Sequence, residues 1–290
     1  MLDVNRLRVL SAVARTGSVT AAAQQMHYSQ PSVSHHLARL EAETGAQLIQ
    51  RVGRGIRLTE AGRLLAARAE EILGRLESAQ SELAAHVGLS AGIVRVAGFA
   101  SALLELIPPV VTQLAERHPG LELRLTETHP PEALELLRTG EVDVAIVFRY
   151  AGTPPDEGFR LTPLLDDTTC LITPKGAPDT LAEHRASGWI AGCTRLHGNL
   201  VDLCAEAGFV PRIVCTTDDI AAKQALVASG LGVGLLPQLA LAAHHHPGIQ
   251  VTPLPGAERH VLAATFGEPP DPPPTAAVLA ALREVSERRG

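Results

Sequence analysis

Two helix starts close together, at Ser18 and Ser29, constrain the beginning of this chain more than any other feature. A helix ahead of them is expected from about Asp3, its N-cap, through Leu7, Leu10 and Val13 to Arg15, with a stop at Gly17. Ser18 can then cap a short second helix carrying Ala22, Ala23 and Met26. After a break at His27-Tyr28, Ser29 can cap a third, with Pro31 in its first turn, where no intrahelical hydrogen bond is lost. Val33, Leu37 and Leu40 follow at spacings of four and three before Gly45, which turns Ser32, His35 and Arg39 away from the core. The small Ala22 and Ala23 let two helices approach closely, and the pattern is that of a helix-turn-helix.

A helix that reads DNA needs short polar side chains near its N-terminus, which reach base edges and phosphates where the helix dipole favours negative charge. Ser29, Gln30, Pro31, Ser32, Ser34 and His35 supply such a set. Gln30 can pair with adenine through two hydrogen bonds, and the Pro31 ring can touch a thymine methyl. Downstream, Arg51-Val-Gly-Arg54-Gly-Ile-Arg57 alternates basic side chains with turn-forming glycines, as a β-hairpin wing over phosphates requires. Charge agrees. Residues 1–68 hold nine arginines against four acids, a net of +5, while the rest of the chain carries −11. Such an asymmetry suits a basic module for a polyanion on an acidic body, although a solvated charged face has the same composition.

Thr59-Glu60 can open a long helix reaching about His86. Leu65, Ala69, Ile72, Leu76, Ala79 and Leu83 alternate spacings of four and three, a heptad seam that calls for a partner helix or for packing on its own domain. Residues 88–92 read as a hinge. Beyond it, strands are expected near 93–97, 121–126, 142–148, 161–173, 188–191, 212–216 and 231–237. Helices are expected near 101–117, 131–138, 198–207 and 218–229, giving an α/β plan with a largely parallel sheet built twice. At 46% hydrophobic and 19% charged, with eight aromatics, the composition is that of a globular chain of two or more domains.

The residues Ser18-Val-Thr20-Ala-Ala22-Ala23, Ser29-Gln30-Pro31-Ser-Val-Ser34, Leu40-Glu41, Gly45, Leu48, Arg51, Arg54 and Leu58-Thr59-Glu60-Ala61-Gly62 resemble the DNA-binding domain of LysR-type transcriptional regulators. Val19 and Ile49 depart from the pattern, standing where that family usually has phenylalanine, and imply a repacked core. Further signposts are Gly140-Glu-Val-Asp143-Val-Ala, Ala207-Gly208 with Pro211, and Leu226-Val-Ala-Ser-Gly230-Leu-Gly-Val-Gly234 with Pro237. The resemblance implies a winged helix-turn-helix over 1–60, a linker and dimerisation helix with a hinge over 61–91, and an effector domain over 92–290. That domain would hold two Rossmann-like α/β subdomains of the periplasmic-binding-protein type II kind, 92–163 with 266–290 and 164–265. It implies DNA contacts from Ser18, Thr20, Ser29, Gln30, Pro31, Ser32, Ser34, His35, Arg39, Arg51, Arg54 and Arg57. The implied partners are a pseudo-palindromic double-stranded promoter site, a small-molecule effector, which the cations Arg149 and Arg195 and two helix N-termini would make an organic anion, further copies of the chain as dimer or tetramer, and RNA polymerase.

Open α/β sheets bind ligands at the carboxyl ends of their strands. Ser101, Thr128, Arg149, Arg195 and Thr217 fall at such ends and are the candidates for the effector cleft. Ser101 and Thr217 could equally be plain helix caps, and either arginine a surface charge. Cys204-Ala-Glu-Ala-Gly208 resembles the peroxide-sensing branch of the family, but Arg195 stands where that branch has its reactive cysteine, which makes a thiol-based redox sensor the alternative. His244-His245-His246 cannot all face one ion from a helix and lacks a nearby acid or cysteine at ligand spacing, so no metal ligands and no cofactor are expected. No G-x-S-x-G, phosphate loop or H-E-x-x-H occurs, and no enzyme activity is expected. With neither a signal peptide nor an apolar span in sight, a cytoplasmic location with no membrane partner is expected.

Overall fold

In a computed structural model, residues 2–52, 55–86, 92–153, 158–267 and 269–289 are described. They divide into two compact units, 1–89 with 135–142 and 90–134 with 143–290.

The first unit opens with α1 (Val4–Thr16), α2 (Val19–Gln25) and α3 (Gln30–Thr44). Each start is fixed by a side chain that satisfies backbone N–H groups the helix cannot. Asp3 accepts from Asn5 and Arg6, Ser18 from Ala21 and Ser29 from Ser32. Gly17 and Gly45 end α1 and α3 in the left-handed conformation. The turn between α2 and α3 holds His27 at φ 55°, a left-handed conformation that costs a non-glycine residue about 1–2 kcal/mol. A hairpin follows, β1 (Ile49–Val52) against β2 (Gly55–Leu58), and then α4 (Glu60–His86). Leu7, Leu10, Val13, Val33, Leu37, Leu40 and Leu48 form the core, and Val19 and Ile49 pack against it, so the smaller side chains are accommodated.

The second unit holds β3 (Ile93–Gly98), β4 (Glu122–Glu127), β5 (Val144–Arg149), β6 (Phe159–Pro174), β7 (Gly188–Ala191), β8 (Arg212–Thr216), β9 (Val233–Pro237) and β10 (Ile249–Phe266). Between and after them in the chain lie α5 (Ala100–Glu105), α6 (Ile107–Arg117), α7 (Pro130–Arg138, counted with the first unit from residue 135 on), α8 (Thr194–Glu206), α9 (Ile220–Ala228), α10 (Gln238–Ala243) and α11 (Pro273–Glu287). The described strands make an eight-stranded sheet in the order β4-β3-β5-β10-β6-β9-β7-β8.

That order corrects the expectation of a largely parallel sheet. β4, β3 and β5 are mutually parallel, as are β9, β7 and β8, but β6 and β10 run antiparallel to their neighbours and to each other. The two long strands join a pair of Rossmann-like halves into one mixed sheet. β10 escapes the sequence pattern because Pro253, Pro255 and Gly256 interrupt it, and the register with β6 shifts at that point. The single helix expected near 101–117 is two, since Pro108 and Pro109 occupy the opening turn of α6. In the second half, alternation sends side chains to both faces. Cys170, Ile172, Ile190 and Leu236 pack on one side, and Leu171, Trp189, Ala191 and Leu235 on the other.

Candidate functional sites

The N-terminal module presents its polar residues outward. Gln30, Pro31, His35 and Arg39 are exposed on α3, with Ser32 and Ser34 half-buried, and Thr20 is exposed on α2. The Gln30 amide donates to the Ser34 hydroxyl at 3.3 Å, which orients both at the start of the helix. Ser18 and Ser29 cap their helices, so each hydroxyl already accepts a backbone hydrogen bond. Arg57 is exposed on β2 opposite Gln50. Arg51 belongs to β1 with its side chain outside the described residues, and Arg54 lies outside them altogether.

What positions the hairpin is a residue whose role the sequence did not disclose. The Glu41 carboxylate at the end of α3 accepts from the backbone N–H groups of Leu48 (2.7 Å) and Ile49 (3.1 Å), fixing the strand start to the helix. Thr59 ties the other side, donating to the Gln47 carbonyl at 2.7 Å and accepting from Gly62 N–H at 2.9 Å. A Cβ on Gly62 would stand 2.0 Å from the Leu48 carbonyl oxygen, so only glycine permits this approach.

The heptad seam needs correction at its N-terminal end. Ala69 is wholly buried in the module's own core, and Leu65 packs against that core, because α1 lies along this part of α4. Ile72, Ala79 and Leu83 are exposed and Leu76 half-buried, leaving these four as the part of the seam outside that core.

In the α/β unit a cavity of about 270 Å³ lies at the carboxyl ends of β3, β4, β5, β7, β8 and β9. Residues 99–101, 127–129, 148, 193, 218 and 236–237 line it, one group from each strand of the two parallel triplets. Of the five expected cleft residues, Ser101 and Thr128 are there. Arg149, Arg195 and Thr217 do not line it, for local reasons. Arg195 donates to the Phe148 carbonyl at 2.5 Å, and Arg149 sits across the ladder from His260. Thr217 accepts from Asp219 N–H at 3.2 Å, while Asp219 itself caps α9.

Two buried cations at the cavity went unread. Arg259 on β10 is 2% exposed and donates to Asp167, its partner across the β6–β10 ladder, at 2.7 and 2.9 Å. It also donates to the Ser101 hydroxyl at 2.8 Å, and its guanidinium lies 4.7 and 4.6 Å from the ring centres of Phe99 and Phe148. Arg259 is thus neutralised and clamped, and it holds Ser101 in place. Lys223 on α9 is equally buried but differs in having no hydrogen-bond partner among the described residues. Burial pushes its ammonium below the usual lysine range, opposed by the charge of Asp218. A signal for it existed, since it is one of two lysines in the chain and the lone charge in Ile220-Ala-Ala-Lys-Gln-Ala-Leu-Val-Ala228.

His129, Cys193 and Asp218, also at this cavity, bring a ring nitrogen, a thiol and a carboxylate oxygen within 4.8 Å of one another. Nothing in their sequence separation suggests it, because each follows a different strand. His246 instead accepts from Gly248 N–H through Nδ1. All four cysteines are free thiols, and burial pushes Cys170 and Cys204 up to about 11. No described helix is long and apolar enough to cross a membrane.

A winged helix-turn-helix followed by a paired α/β unit with a ligand-sized cavity defines a ligand-responsive DNA-binding regulator. Residues 4–63 match the family model for the bacterial regulatory helix-turn-helix protein of the lysR family, and residues 88–287 that for the LysR substrate binding domain. The chain belongs to the LysR family of transcriptional regulators. It is 30% identical to the probable HTH-type transcriptional regulator LrrA of Synechococcus elongatus over 98% of each chain. It is 29% identical to the uncharacterized HTH-type transcriptional regulator YcgK of Bacillus subtilis, over 91% of this chain and 89% of that one. Among solved structures it shares its fold with CbnR, a LysR family transcriptional regulator, at a TM-score of 0.69 and 22% identity, covering 98% and 99% of the two chains. CbnR complexed with its target DNA matches at a TM-score of 0.68, 23% identity and full coverage of both.

Proposed function

We propose that this regulator binds a pseudo-palindromic promoter site as a dimer or tetramer and releases or reshapes that binding when a small organic anion enters the α/β cavity. The observation that carries the effector class is Lys223, a buried ammonium at the cavity that has no hydrogen-bond partner among the described residues and only the charge of Asp218 to offset its burial. Such a group is costly until an anion pairs with it, so binding energy is stored for that ligand. Ser101 and Thr128 add hydroxyls beside it. The division of the chain follows as a winged helix-turn-helix over 1–60, a linker helix and hinge over 61–91, and an effector domain over 92–290. Within it, 92–163 with 266–290 and 164–265 move as subdomains, with β6 and β10 as the connecting strands.

The DNA surface comprises the exposed positions of α2 and α3, with Ser18 and Ser29 as caps that lend their helix N-termini to phosphates. Arg51, Arg54 and Arg57 serve the wing. Ile72, Leu76, Ala79 and Leu83 pair two copies, which sets the spacing of half-sites. CbnR, a relative in fold, has been captured on its target DNA. The protein acts in the cytoplasm, with RNA polymerase as a further partner, and carries no catalytic activity.

The test is a mobility shift on the DNA upstream of the chain's own gene, combined with a thermal-shift screen of small organic acids. A shifted band and at least one stabilising acid are expected. Failure of every acid, with neutral ligands stabilising instead, would overturn the anionic class. A thiol-based redox sensor is disfavoured by Cys204, which is wholly buried and has its thiol held at about 11, far from the reactive thiolate that such sensing needs. Rapid alkylation of Cys204 in the native protein at neutral pH would reverse that judgement.

A further inference from the structure

We propose that His129, Cys193 and Asp218 form a binding site for zinc, or a similar borderline divalent metal ion, at the effector cavity. The donor set is one imidazole, one thiol and one carboxylate, all within 4.8 Å of one another. Bonds of 2.0–2.3 Å around a tetrahedral zinc place ligand atoms about 3.3–3.7 Å apart. The His129 Nε2 to Asp218 Oδ2 separation, 3.4 Å, already has that value. The carboxylate is also aimed. Its Oδ1 accepts from the backbone N–H of Cys193 at 2.6 Å, which leaves Oδ2 to face His129, the kind of supporting hydrogen bond that orients metal ligands.

The scaffold is rigid where it matters. His129 follows β4, Cys193 follows β7 and Asp218 follows β8, and the backbone N–H of Thr217 donates to the Ala191 carbonyl at 3.1 Å, tying the last two strand ends together. The Cys193 side chain makes no capping bond to α8, so its sulfur is not committed there. Mixed nitrogen, sulfur and oxygen donors select zinc, cobalt or nickel over magnesium or calcium, which want oxygen alone. Three protein ligands leave the fourth position of a tetrahedron open, as in zinc sites that also bind water or a small ligand.

The consequence reaches beyond an extra ligand. His129 belongs to the half of the sheet built on β3–β5, whereas Cys193 and Asp218 belong to the half built on β7–β9. A bound ion would therefore staple the two halves across the cavity, and its open position would offer a carboxylate effector a second anchor besides Lys223. Metal and effector would then reinforce each other's binding, by equal factors in either order.

The experiment uses the full-length, reduced protein, stripped of metal with a chelator and titrated with zinc against a chromogenic competitor. One tight zinc per chain is expected, weakened at least tenfold by Cys193→Ser and by His129→Gln and untouched by replacing His244, His245 and His246 together with alanine. Cobalt in place of zinc should give the near-ultraviolet band of a thiolate-bound ion in the wild-type protein, absent in Cys193→Ser. No such band in the wild type, zinc affinity unchanged in both single variants, or zinc lost only with the three histidines would each overturn the site. Because the readout needs neither DNA nor effector, its failure leaves the proposed regulator function standing.

Discussion

The DNA-binding module and the α/β unit place their functional residues in opposite ways. The module carries them outward on α2, α3 and the hairpin, where Gln30, His35, Arg39 and Arg57 meet solvent and the core beneath is purely structural. The α/β unit buries its charges instead, with Arg259 and Lys223 each 2% exposed beside a cavity assembled from six strand ends. A surface that binds a large polyanion gains from many weakly desolvated contacts, whereas a site for a small ligand must concentrate its energy in a few desolvated groups. Exposed polar residues of the first unit that cap no helix and pin no strand, such as Gln30 and Arg39, can change at little cost to the fold. In the second, site and fold share the same atoms.

The hardest test of that contrast is Arg259→Ala, which strands the Asp167 carboxylate and empties the space over the rings of Phe99 and Phe148. A loss of about 3–5 kcal/mol is expected, visible as an earlier thermal transition. Gly62→Ala probes a place where the module's backbone is as tightly constrained. The 2.0 Å approach to the Leu48 carbonyl has no flexible side chain to yield, so the cost should reach about 3 kcal/mol and show as proteolysis within residues 1–60.

Lys223→Met sharpens the comparison by separating stability from binding. Removing a buried ammonium with no hydrogen-bond partner among the described residues should raise stability by about 1–3 kcal/mol while abolishing the response to organic acids. A destabilised variant would show that Lys223 has a partner and that the cavity is not poised for an anion. On the DNA side, Gln30→Ala should leave the melting temperature unchanged and lose about 1–3 kcal/mol of discrimination at one base position. Arg57→Ala should weaken all sequences alike and reduce the salt dependence of binding by about one counterion. If Arg57→Ala alters preference among sequences, the wing is reading bases and the division of labour fails.

Much of the first unit was legible because its signals are local. Asp3, Ser18 and Ser29 as caps, Gly17 and Gly45 as stops, and the spacing of Val33, Leu37 and Leu40 each act within a few residues of where they stand. Even there, Glu41 went unread as the residue that pins the hairpin, since its partners Leu48 and Ile49 lie beyond a turn. Ala69 was read as part of a seam because periodicity reports which face is apolar but not what covers it.

The sequence by itself determined the helices and their caps, most of the strands, the charge asymmetry and the family. Each of these is a property of neighbours along the chain. Only the tertiary structure decided that β10 runs antiparallel between β5 and β6, that Arg259 meets Asp167 ninety-two residues away, and that His129, Cys193 and Asp218 converge. Those pairings depend on strand order and register. The same alternating pattern is compatible with many orders, and burial of both faces, not any local preference, selects one. The cavity's chemistry is written in residues that meet only once that selection has been made.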